Sequence, residues 1–279
     1  MVVLETAIAP RAWWVEFAER SKVPPDAVET IEIAEPRNVT ALLAPLAPSD
    51  TLAQAGPPPT ADALTVIWMP PGANAPATIE RDVDEWVRGA GAQTKEANVR
   101  AEVRTVRVVW SESRAVIYAN QGDLRFAIDA ILRFSVAQRE ALALEAAMKS
   151  NWASIEADAA LTHALTPRDQ KRQAHVNEMT EIVARMKMSW LRISRSLEQL
   201  GPTLTEPSKR LFAELGSAAS LYDRVETLEA PVQFALDHYE ICNTRLIDMN
   251  LARLERLSSI FGYGIIIILL IIQIWIMTH

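Results

Sequence analysis

The stretch "SSIFGYGIIIILLIIQIWIMTH", Ser258 to His279, limits what this chain can fold into more than any other. From Ile260 to Met277 about 18 consecutive residues carry no charge, close to the length that crosses ~30 Å of hydrocarbon at ~1.5 Å per residue. A buried helix of a soluble protein keeps a polar stripe, whereas "IIIILLIIQIWI" is apolar on every face. Residues 260–277 therefore read as a transmembrane helix. Tyr263 and Trp275 stand toward its two ends, where amphipathic rings settle at membrane interfaces, and Arg253 and Arg256 flank it upstream. With Arg245 these are the nearest basic residues, and no Lys or Arg follows the span. The positive-inside rule then places the large N-terminal part in the cytoplasm and the C-terminus at the far face. Gln273 is polar at membrane depth, where it either bonds between helices or sits toward the far headgroups. Ser258 and Gly262 add a small-xxx-small pair. The expected localisation is single-pass and tail-anchored, in a bacterial inner membrane.

The N-terminal "MVVLETAIAPRAWWVEFAER" lacks a basic n-region and a continuous apolar run, so it does not read as a signal peptide. A formal charge of −7 argues against a general nucleic-acid binder, and none is expected as a partner. The single Cys242 excludes an intramolecular disulfide framework and a cysteine-rich metal site.

Helical periodicity dominates the second half. Val176, Met179, Val183, Met186, Trp190, Ile193, Leu197 and Leu200 alternate three and four apart, the seam of a helix packed on another helix. Thr166 and Pro167 supply its cap and first turn, and Gly201-Pro202 ends it. A preceding helix, 136–161, carries a rougher stripe through Leu144, Met148, Trp152, Ile155 and Ala159. The run "EPSKRLFAELGSAASLYDRVETLEA" reads as a helical pair broken at Gly216. Pro231 suits a first helical position, and one helix of about 47 residues, near 70 Å, then runs into the span. Along it Leu236, Asn243, Asn250, Leu257 and Gly264 recur every seven residues, with Leu254 and Phe261 in an adjacent phase. Asn243 and Asn250 either set the register and number of strands in a coiled-coil stalk or face water.

Residues 1–134 follow another pattern. "ALTVIWM" is a short apolar run of strand type, "IERDVDEWVRG" a helix, "VRTVRVVW" and "RAVIYA" a hairpin across "SES", and "GDLRFAIDAILRF" a helix. "TIEIAEPRNVTALLAP" adds strand, and a Pro/Ala-rich loop lies near 44–62. The fold class is α+β: an N-terminal α+β domain over 1–134 with one sheet face covered by helices, an antiparallel helical bundle over 135–230, a coiled-coil stalk over 231–259 and the span over 260–277.

No phosphate loop, dinucleotide fingerprint, HExxH or CxxC is present, so no catalytic, metal or cofactor residues are assigned. His163, His175, His238 and His279 are scattered. His238 and Cys242 share a helix face at i, i+4, the edge of a metal site that lacks two further ligands. Ser111, Glu112 and Ser113 read as turn residues. Seven Lys and Arg between Arg168 and Leu200 form a solvated helix face, with a contact for anionic lipid heads or RNA as the alternative.

"YEICNTRLID" and "IIIILLIIQI" carry a resemblance to the Rmd/YagE-like family of membrane-associated proteins (Required for Meiotic nuclear Division). In that family an Asn-x-Arg-Leu helix precedes a final Ile-rich span, and Asn243, Arg245 and Leu246 stand in those places here. Gln273 replaces an acidic residue common in the family, and the family's aromatic segment is not clear in "LTEPSKRLFAEL". The resemblance covers the C-terminal helices and implies an oligomeric, membrane-anchored scaffold. A second resemblance is architectural: CorA-type cation channels also join an α/β domain to a stalk helix entering the membrane, but with a second span and a Gly-Met-Asn motif that this chain lacks. The expected function is a non-enzymatic tail-anchored scaffold or assembly protein, with the bilayer, other membrane or cytoplasmic proteins and further copies of itself as partners. The alternative is a subunit of an oligomeric channel or transporter, with Tyr263 and Gln273 lining a pore.

Overall fold

The computed structural model describes residues 10–19, 29–46, 63–70, 77–89, 98–163, 166, 169–200 and 204–278. Residues 47–62 of the Pro/Ala-rich loop, Pro167, Gly201 and Pro202 lie outside them. The chain forms two compact units, each built from two separated stretches: 1–145 with 189–228, and 146–188 with 229–279.

The first unit is built on seven strands, β1 (Arg11–Glu19), β2 (Thr30–Ile33), β3 (Val39–Pro45), β4 (Leu64–Met69), β5 (Val99–Val103), β6 (Val106–Trp110) and β7 (Arg114–Tyr118). Their spatial order is β2-β3-β1-β4-β7-β6-β5. Neighbours are antiparallel except β4 and β7, whose parallel register sets Ile67 beside Val116 and Trp68 beside Ile117. Period-two alternation then gives each face its own row. Trp68, Ile117 and Val108 line one face, and Ile67, Val116 and Val109 the other.

Helices cover both faces at β4, β7 and β6, not one. Helix α1 (Ala77–Arg88) sets Val83, Trp86 and Val87 on Ile67, Val109 and Val116. Each such buried side chain stabilises by about 1.5–3 kcal/mol. On the opposite face, helix α2 (Leu124–Ala157) brings Phe134 edge-on to Trp110 at 4.8 Å. Trp110 Nε1 donates to Ser135 Oγ at 2.8 Å, which satisfies an indole buried with the ring. Arg139 of α2 donates to the carbonyls of Ala63 and Glu112, fixing the helix over the start of β4 and the β6–β7 turn. Helix α4 (Glu206–Ala218) packs against α2, with Phe212 on Phe134 and Ser208 Oγ donating to the Phe126 carbonyl. Thr205 caps α4 by accepting from the Ser208 amide.

Five further features differ from the expectation. β1 is a full strand with Trp13 and Val15 buried, where only the absence of a signal peptide was inferred. "VRTVRVVW" is the end of β5, a tight turn and β6, because Arg104 takes φ 56° at a position where glycine usually signals a hairpin. The helices expected over 122–134 and 136–161 are the one helix α2, which begins at Leu124 and is followed by a 3₁₀ turn at Ala159–Thr162. The break expected at Gly216 falls after Ala218, where Ser220 has φ 52°. Gly216 is interior to α4, because a Cβ there would lie 2.7 Å from the Tyr222 ring. Finally, helix α5 (Leu221–Thr278) begins ten residues before Pro231, which lies inside it. Burial of the flanking turns, Leu228 and Val232 among them, holds the helix through a proline that leaves one backbone bond unmade.

In the second unit α2 and α5 run the same way, Trp152 lying beside Phe234 and Asp158 beside Tyr239. Helix α3 (Gln173–Glu198) runs against them, its start beside Asn243. A 3₁₀ turn at Asp169–Arg172 precedes α3. There Thr166 donates its amide and hydroxyl to the Asp169 carboxylate, a capping box one turn ahead of the helix. Those two bonds hold the Asp169 carboxyl below the usual range.

Candidate functional site

The polar centre of the second unit is Asp158, at the junction between α2 and the 3₁₀ turn, with no exposed surface. A buried carboxylate is costly unless its lone pairs are filled, and three side chains from separate segments fill these. Arg172 pairs with Oδ1 from the 3₁₀ turn before α3. Tyr239 of α5 donates its hydroxyl to Oδ2 at 2.9 Å. His175 Nε2, in the first turn of α3, lies 3.0 Å from the same oxygen. Asp158 thus ties together every helical segment of the unit.

His238 and Cys242, on α5 beside Tyr239, complete the cluster. Cys242 Sγ is 3.7 Å from His238 Nε2, so the i, i+4 pair noted in the sequence does face one another. His238 stacks on Phe234 and meets Tyr239 edge-on. Burial holds its imidazole below the usual histidine range. Burial, then the Asp158 charge, pushes the Cys242 thiol up to about 11. Burial and the bond to Asp158 raise the Tyr239 hydroxyl as well. At neutral pH the arrangement holds a neutral thiol, a neutral phenol and a neutral imidazole packed around one ion pair, a rigid joint between helices. Among the described residues no group of three or more His, Cys, Asp or Glu is placed to hold a metal.

Asn243 and Asn250 are half-buried, and their partners lie within the same chain. Gln173 donates to Asn243 Oδ1 at 2.9 Å and Gln170 to Asn250 Oδ1 at 2.6 Å. Arg253 donates in turn to Gln170 Oε1. This ladder fixes the α3 start on α5. The stripe of α5 that packs inward is Val232, Ala235, Tyr239, Cys242 and Leu246, one position away from the Asn series. In α3, Val176, Met179, Val183 and Met186 are buried in the second unit, as the seam expects. Farther along, in the first unit, Trp190 is half-buried with Nε1 donating to the Val225 carbonyl at 2.9 Å. Ile193 is buried, but Leu197 and Leu200 are only half-buried and Ser196 takes the inward place. A strict three-four stripe slips about 20° per heptad round a straight helix, and three heptads move it by most of a residue step.

From Leu251 to Trp275 every residue of α5 is exposed apart from a half-buried Gly264. Tyr263, Trp275, Gln273 and Arg256 lie in this bare segment. The apolar part of α5 is long enough to cross a membrane, and no residue of it is buried in the protein. The structure is compatible with a membrane-associated protein on that ground.

In the first unit an open groove of about 520 Å³ is lined by Phe17, Arg37, Val39, Ser113, Arg139 and Glu140. Arg139 is committed there to the Phe17 ring and two carbonyls, and Arg37 to Glu140 at 3.6 Å. Ser111 Oγ donates to the Val87 carbonyl, as a turn residue does. The Asp158 cluster had no local signal in the sequence, because its partners come from positions 172, 175 and 239.

No family model matches the chain, and none of the curated proteins does. Among solved structures it is similar to that of the full-length CmaX protein, with 9% identity and a TM-score of 0.34, over 79% of this chain and 78% of that one. A likeness of that size carries no argument about fold or function.

Proposed function

We propose that the protein is a non-enzymatic scaffold held in a bilayer by α5, presenting its folded units to partner proteins on the cytoplasmic side. The observation that carries this reading is the bare, uncharged stretch of α5 beyond Ile260, on the same helix that carries the buried stripe of the second unit through Tyr239, Cys242 and Leu246. The basic residues Arg245, Arg253 and Arg256 precede that stretch, which supports the orientation. The buried His238, Tyr239 and Cys242 are held neutral beside the Asp158–Arg172 ion pair, an arrangement that supports a joint and not a reaction centre. Self-association in the membrane is part of the proposal.

The test is gentle solubilisation of the full chain from its own membrane, followed by native mass measurement and identification of what accompanies it. Stoichiometric retention of other subunits is the expected result. A pure homo-oligomer that passes ions when reconstituted in liposomes would replace the scaffold with a channel.

A further inference from the structure

Outside the proposed span, α5 carries a second apolar stripe that its own unit does not use. Ile247, Leu251 and Leu254 are each more than half exposed, and Ser258 and then Phe261, which is 72% exposed, continue the same face. Their spacing is four, three, four, three, and Ile265 and Ile268 prolong it. At about 100° per residue this face lies more than a quarter-turn from the inward stripe that ends at Leu246.

Lipid does not cover its first two residues. Ile247 and Leu251 precede Ile260 by about 20 and 13 Å along the helix. The headgroup zone is only about 5–8 Å deep on each side of the hydrocarbon. Even a tilt of about 40° leaves both residues beyond it. The unit's own helices are bonded to α5 beside this face and not on it, through Asn243, Asn250 and Arg253.

We propose that this face is the contact between two copies of the chain, as a parallel helix pair that begins at Ile247 and continues into the membrane. The proposal rests on the reading of α5 as a span. The stripe lies on the part of α5 that rises directly from the proposed span, so a partner helix anchored in the same bilayer reaches it in parallel. A second copy supplies that helix with an identical stripe at identical depth. In register, Leu251 meets Leu251, Leu254 meets Leu254, and the small Ser258 lets the backbones close where they enter the bilayer. No charged residue occupies a position of the stripe, so the pairing forces no like charges together. Asn243 and Asn250 then take no part in it.

The test is oxidative cross-linking of full-length single-cysteine insertions in native membranes, with Leu251→Cys and Leu254→Cys on the face and Ala252→Cys off it. Native Cys242 is fully buried and its thiol is held protonated, so it serves as a silent background. The expected result is a covalent species of twice the chain mass, several-fold more abundant for the two face positions than for Ala252→Cys. Equal yields at all three positions, no dimer, or an adduct with a protein of another mass overturns the proposal. Alkaline washing of the same membranes separates the two failures. A chain that stays in the membrane without cross-linking refutes this contact alone, whereas a chain that washes off refutes the span.

Discussion

Tyr239→Phe isolates what the Asp158 joint contributes, because it removes one hydroxyl and leaves the ring in place. Both residues are fully buried and the bond is 2.9 Å, so water does not replace it. A hydrogen bond to a charged group contributes about 1.5–3 kcal/mol. Asp158 Oδ2 keeps His175 at 3.0 Å, which places the expected loss near the lower half, about 2 kcal/mol. Asp158→Asn removes the ion pair too. Taking one partner from a buried pair costs about 3–5 kcal/mol, but Arg172 is 37% exposed and can be rehydrated, so about 3 kcal/mol is expected. Because Tyr239 acts through Asp158, its substitution in the Asp158→Asn background should cost at least about 1 kcal/mol less than alone. The assay is amide hydrogen exchange of the detergent-solubilised full chain, read over residues 156–176 and 232–246. A loss of about 2 kcal/mol appears as roughly 30-fold faster exchange there. Exchange within threefold of the parent, or an equal effect of Tyr239→Phe in both backgrounds, would refute the view of Asp158 as the joint.

Replacing Asn243 and Asn250 together by Leu should leave the native mass in detergent unchanged, while exchange over 169–175 rises for the loss of two neutral bonds at about 1 kcal/mol each. A changed oligomer number would mean that they lie between chains. Gly216→Ala should destabilise the first unit in thermal unfolding, since the new methyl meets Tyr222 at 2.7 Å, whereas in a Tyr222→Ala background helix propensity should make it stabilising by up to about 1 kcal/mol. The pH limits of the second unit follow from two shifts. The folded-state value of His238 is lowered, so its contribution is present above the unfolded value near 6.5 and lost as pH falls through the folded one. Cys242 is raised to about 11, so its contribution is present below the unfolded value near 9.0 and lost between 9 and 11. His238→Phe should blunt the acid limb of a pH–stability profile, and Cys242→Ala the alkaline limb.

Patterns that repeat within one segment were legible in the sequence. The apolar run β4, the β6–β7 hairpin, α1, the α3 seam from Val176 to Met186 and the bare span each announce themselves by local periodicity. Strand β1 carried the same kind of signal in Trp13, Val15 and Phe17, obscured by a second tryptophan at Trp14. The β5–β6 turn was hidden because Arg104 performs a glycine's conformational role. Pro231 misled because packing on both sides outweighs one missing bond. The Asp158 joint and the Gln–Asn ladder were illegible for a deeper reason. The ladder and the Tyr239 bond to Asp158 join residues about 70 to 80 positions apart, and nothing beside Asp158 in "EADAAL" distinguishes a buried acid from a solvated one. Sequence order also conceals that both units are discontinuous, since α2, α3 and α5 each contribute to the two.

Whether α5 crosses a bilayer is tested most directly by alkaline extraction of membranes holding the full chain, beside an Ile268→Lys, Leu269→Lys variant. Each lysine at the centre of a span costs about 2.5–3.5 kcal/mol, so the pair should remove about 5–7 kcal/mol of insertion free energy. The expected outcome is parent chain retained in the pellet and variant released to the supernatant. Release of the parent under the same wash would contradict the reading of α5 as a membrane span.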